Sequence, residues 1–179
     1  MNTLPALEPS VEPWLRGTHA EVPPVGRAVL HALDLASEDL KKWTNGLTDA
    51  EAHGQPLGLP ALAFHLRHIA RSVDRLLSFA EGKQLSAEQL TALKAEQGDP
   101  QERRKEPLLR LLAEVDAAFA NAAERVRELA RTDLDAAVAV GRKQLPSTVG
   151  GALVHVADHT QRHVGQVVTT CRLLKELRG

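Results

Sequence analysis

The sequence has little of what builds sheets, staples or membrane spans. It holds one cysteine, no tyrosine and only 3% aromatic residues. The lone Cys171 excludes a disulfide scaffold and a cysteine-cluster zinc site. Charge of either sign is not in excess: 22 Lys and Arg face 23 Asp and Glu, so no global field draws the chain to nucleic acid. No apolar run approaches about 18 residues, so no membrane-spanning segment is expected. The first 13 residues lack the apolar stretch of a secretory signal, which leaves a cytoplasmic location as the expectation. No Ser-His-Asp set, P-loop or dinucleotide-binding glycine fingerprint occurs.

Alanine and leucine fill the space left by these absences, with 54 of 179 positions between them. Both favour helix, whereas strands favour the scarce aromatic and β-branched types. Residues 1–24 contain Pro5, Pro9, Pro13, Pro23 and Pro24, a density that no helix survives. This stretch reads as an irregular arm, pinned to the body by Trp14 and Leu15. Apolar residues at spacings of three and four then mark four long helices. The first runs from Val25 to about Gly46, and the second from Pro60 to about Ala80. The third runs from about Gln101 to Arg131, and the fourth from a Ser147 cap to Leu177. Ser86-Ala-Glu-Gln reads as a capping box for a short extra helix. Residues 132–146 read as a connector. The expectation is an all-α four-helix bundle forming a single domain over 25–179, with connections long enough to permit crossovers.

Histidines carry the functional signal. His155, His159 and His163 lie four residues apart on the fourth helix, so each is one turn above the last. Neighbouring imidazoles at that spacing can share a metal ion, but His155 and His163, two turns apart, cannot both reach it comfortably. Helical periodicity favours the pair His159 and His163. His65 and His68 sit three apart early in the second helix. One of them would complete three neutral nitrogen ligands, the minimum for an open catalytic type of site. The apolar stripe places His65 nearer its centre than His68.

Two stretches resemble the DinB/YfiT-like family. His65-Leu-Arg-His68-Ile-Ala-Arg-Ser-Val-Asp-Arg is similar to its second-helix motif. The run from Ser147 through His155, His159 and His163 to Gly165-Gln166 is similar to its fourth-helix motif, H-x3-H-x-G-Q. Gly46-Leu-Thr-Asp-Ala-Glu resembles the segment before the second helix. The resemblance implies a four-helix bundle whose three histidines bind a divalent ion, nickel or zinc, with the ligands on His68, His159 and His163. His65 would then be a pocket residue behind the ligands.

The family also implies thiol chemistry, so the reading is a metal-dependent transferase acting on a small molecule through a low-molecular-weight thiol, or a hydrolase. His65 and His155 are the general-base candidates. Arg67 and Arg71, with Arg75 on the same face, are candidates to anchor an anionic group of the thiol, although a solvated face is the commoner explanation of such a run. Gln166 could orient a ligand imidazole, and Gly165 could admit a neighbouring helix. Asp158 reads as solvated, and Cys171 as a small buried hydrophobe. A homodimer is expected from the family, with Ala117, Ala118 and Ala122 as packing candidates. The alternative reading is a non-catalytic metal-binding or stress-associated interaction protein.

Overall fold

Each long helix begins where the chain upstream cannot be helical. α1 (Pro24–Thr44) follows Pro23 and carries proline at its first position. Thr48 and Glu51 form a reciprocal capping box on the short α2 (Asp49–His53). α3 (Leu62–Ala80) starts two residues after Pro60. α4 (Ala87–Glu96) is the predicted extra helix: Ser86 Oγ accepts from the Gln89 amide at 3.2 Å, and the Gln89 side chain accepts from the Ser86 amide at 2.9 Å. α5 (Leu108–Leu129) is capped by Pro107, and α6 (Val149–Glu176) by Thr148, whose Oγ1 accepts from the Gly151 amide at 3.0 Å. The computed structural model describes residues 11–96 and 106–178.

Two boundaries move from their expected places. The third long helix does not run through residues 106 and 107. Pro107 has no amide to donate and disfavours helix in the residue before it, so the helix begins at Leu108. The start expected at Gln101 lies outside the described residues. The fourth long helix is capped by Thr148 rather than Ser147, because the chain through Thr148 is still paired in a strand and it is the Thr148 hydroxyl that accepts from the Gly151 amide.

That strand belongs to a hairpin within the expected connector. β1 (Ala137–Val140) pairs antiparallel with β2 (Leu145–Thr148), Val140 opposite Leu145 and Ala137 opposite Thr148. The turn between them needs left-handed backbone at Gly141 (φ 69°) and Gln144 (φ 50°), and the Gln144 amide donates to Gly141 O at 3.1 Å. Amides of Val149 and Gly150 donate back to Ala136 and Leu134, fastening the hairpin to the start of α6.

The four long helices occupy the corners of a bundle. α1 packs against α5 and α6, and so does α3. Sequence-adjacent long helices, α1 with α3 and α5 with α6, therefore stand at opposite corners, and their connections cross the end of the bundle. Leu30, Leu40, Leu66, Ile69, Leu111 and Leu153 fill the interior. Burying a side chain of this size contributes roughly 1.5–3 kcal/mol. The consequence for function is the α3–α6 neighbourhood, which brings together the two histidine-bearing helices.

Trp14 and Leu15 do not pin the N-terminal arm: Trp14 is 61% exposed and Leu15 also faces solvent. The arm is held instead by buried Pro13 and Val22, and by ion pairs of Arg16 with Glu38 and of His19 with Asp34. Ala122 is fully buried in the chain's own core, which removes it from any surface between subunits.

Candidate metal centre

The site begins with helix spacing. His159 and His163, one turn apart on α6, present their rings to the same side, 4.7 Å between centroids. His68 comes from the facing turn of α3, and its ring lies 4.6 Å from that of His163 and 5.2 Å from that of His159. One ring nitrogen from each of the three lies within 4.8 Å of the other two. His68 Nε2 and His159 Nε2 are 3.0 Å apart. Two nitrogens bound to one ion at about 2.0–2.1 Å are themselves about 2.9–3.4 Å apart. The spacing therefore fits a shared divalent ion, and the three half-buried imidazoles are a donor set that could hold one.

Outer partners fix the orientation of two of these rings. His68 donates from Nδ1 to Glu96 Oε2 at 2.9 Å, which leaves its Nε2 facing His159. Glu96 is 6% exposed and is also gripped by Arg75, Nη1 to Oε1 at 2.6 Å. Burial pushes the Glu96 carboxyl up, but the His68 and Arg75 contacts outweigh it and hold the group below its ordinary value. His163 Nδ1 meets His65 Nδ1 at 3.1 Å, so His163 is left with Nε2 for the cluster. Phe64 stacks on His68 with ring planes 9° apart, closing one side of the site.

The electrostatics favour uncharged imidazoles, the form a metal needs. Burial, then the nearness of the His163 and His68 rings, pushes His65 down to about 4. His159 is pushed down to about 4 by burial and by its cationic neighbours, His163 first. His163 is also lowered, by burial and then His68, with the Gln166 hydrogen bond opposing.

The apolar stripe and the resemblance pointed to different histidines of the second helix, and the fold gives each a place. His65, nearer the stripe's centre, is 3% exposed and lies behind the cluster against His163. His68, at the stripe's flank, is in the cluster. His155 is exposed and paired with Asp158, Nδ1 to Oδ1 at 2.7 Å, while its ring stays 5.4 Å from that of His159. Arg67 and Arg71 are engaged by carboxylates, Arg67 with Glu106 at 2.8 Å and Arg71 with Glu114 at 2.9 Å. Neither offers an unengaged guanidinium to a cofactor. Gly165 is exposed, and a Cβ there would meet nothing within 4 Å, so no helix among the described residues approaches it. Cys171 is fully buried, and burial pushes its thiol up to about 11.

Sequence reasoning missed Glu96. Its only local signal is its position at the end of the helix opened by the Ser86 capping box. Nothing in the chain's periodicity says that this end docks on His68.

No curated protein matches this sequence. The family model described as the DinB superfamily matches residues 32–167. That span covers α3, α4 and α5 entirely and includes His155, His159 and His163. With well over half of its length matched, and a helical bundle that brings histidines of α3 and α6 together, the chain belongs to the DinB superfamily.

Proposed function

We propose that the protein holds one divalent ion, nickel or zinc, on His68, His159 and His163, and catalyses transfer of a small thiol to an electrophilic small molecule. The observation that carries this reading is the convergence of three imidazoles from two chain-distant helices on one point. Three neutral ligands leave the ion's charge uncancelled and further coordination positions open. A divalent ion so held supplies a Lewis acid that makes a bound thiol or water nucleophilic at neutral pH.

The chain's own residues supply the rest. Glu96 and His65 hold the ligand rings in orientation from behind. His155, exposed beside His159 and paired with Asp158, is placed to move a proton at the solvent side. His65, buried against His163, is less suited to that role.

The test begins with metal analysis of untagged protein. Stoichiometry near one that collapses in His68→Ala, His159→Ala and His163→Ala supports the site. Metal content unchanged in these variants overturns it. Conjugation of small thiols to an aryl halide or activated alkene is then followed with and without the metal. Metal-dependent conjugation supports transfer. Metal-dependent ester or amide cleavage without conjugation moves the reading to hydrolysis, and inactivity in both assays with metal bound leaves a non-catalytic metal protein.

A further inference from the structure

Glu96 is the one carboxylate in the described structure that touches a candidate ligand, and it does so from a separate element. It sits on the last residue of α4, a helix that carries no member of the cluster. We propose that Glu96 is a positioning residue of the metal centre: its buried carboxylate fixes His68 with the proton on Nδ1 and the Nε2 lone pair toward His159 and His163, and it is this contact, rather than the docking of α4 as a whole, that raises the metal affinity. This inference rests on the metal reading above.

Three observations support it. First, the geometry is directional: Oε2 lies 2.9 Å from Nδ1, and the opposite ring nitrogen lies 3.0 Å from His159 Nε2. An imidazole with an acceptor on one nitrogen has its other nitrogen's lone pair free, and the hydrogen bond raises that nitrogen's basicity. Second, the carboxylate is not adaptable. Glu96 is buried, and Arg75, itself buried, holds it through Nη1 to Oε1 at 2.6 Å and Nη2 to Oε2 at 3.3 Å. A paired, buried carboxylate keeps its charge and its place. Third, α4 is fastened to α3 elsewhere as well, through Gln89 Nε2 to Asp74 Oδ2 at 2.6 Å and to Ser78 Oγ at 2.8 Å. Those contacts do not involve His68, so the docking of α4 and the orientation of His68 can be separated by substitution.

The experiment compares full-length wild type with Glu96→Ala, Glu96→Gln and Gln89→Ala. Zn2+ affinity is measured by competition with a chromophoric chelator. The tautomer of His68 is read from imidazole nitrogen shifts in metal-free protein labelled with 15N. In wild type His68 should carry its proton on Nδ1. Glu96→Ala should mix the tautomers and weaken zinc binding by about 10- to 100-fold. Glu96→Gln keeps an acceptor oxygen of the same reach and should recover part of the loss, which also serves if the alanine variant fails to fold. Gln89→Ala loosens α4 without touching His68 and should leave both readouts near wild type.

Equal zinc affinity in wild type and both Glu96 variants overturns the proposal. So does Gln89→Ala losing as much affinity as Glu96→Ala, since the effect would then be general loosening of α4. If wild type binds no zinc or nickel, the metal reading itself falls and this inference with it. If wild type binds metal but His68 keeps the same tautomer without Glu96, only this inference falls.

Discussion

The neutral imidazoles of His65 and His159 tie the stability of the metal-free protein to pH. Both are held near 4 in the folded chain, against an ordinary value of 6.5. Their stabilising contribution is therefore fully present above about 6.5 and is lost as pH falls toward 4, because the unfolded chain takes up protons that the folded chain refuses. For buried His65 alone, the interval from 6.5 to about 4 corresponds to about 3 kcal/mol. Urea titrations in the presence of a chelator should show stability falling across this window, and His65→Leu should flatten the profile. A profile that is flat in wild type contradicts the burial of neutral rings. Cys171 gives a second residue-level expectation. With its thiol fully buried and pushed up to about 11, it should resist Ellman's reagent in the native protein at pH 8 and react at once in guanidinium.

At the scale of elements, α3 organises the molecule. Its arginines recur every fourth residue, and each grips a different neighbour: Arg67 holds Glu106 ahead of α5, Arg71 holds Glu114 on α5, and Arg75 holds Glu96 on α4. On the sequence alone this face reads as solvated or as an anion anchor. Its partners come from 21 to 43 residues away, beyond the reach of any local pattern. Two glycines give opposite expectations for the same substitution. Gly26 in α1 is where the chain past α5 comes closest, and a Cβ there would lie 2.4 Å from Ala130 Cβ. Gly26→Ala should therefore destabilise by about 1–3 kcal/mol. Gly165 in α6 has open space around it, so Gly165→Ala should stabilise the metal-free protein by about 1 kcal/mol through helix propensity. Denaturation midpoints of the two variants check both signs.

At the scale of the whole molecule, metal binding and folding are one equilibrium. An ion that binds only the native cluster stabilises it by mass action, about 2.7 kcal/mol at a free concentration 100 times the dissociation constant. Zinc or nickel should raise the melting temperature of the apoprotein, a chelator should reverse the rise, and His159→Ala should abolish it.

The four long helices and the short α4 were legible in the chain because apolar residues recur at helical spacing, and prolines mark the starts of α1 and α3; the short α2 was not. The pair His159 and His163 was legible for the same reason, since one turn of helix sets their separation. Hydropathy alone favoured His65 over His68, because an apolar stripe reports burial in the core, whereas the cluster forms at the stripe's flank. The hairpin over 137–148 escaped notice because two four-residue strands are too short to establish a period. The diagonal placement of α1 with α3 and of α5 with α6, and Glu96 reaching His68 from α4, were decided only by tertiary packing. Local sequence determines which face of a helix is apolar, but which face meets which depends on the assembly of all four at once.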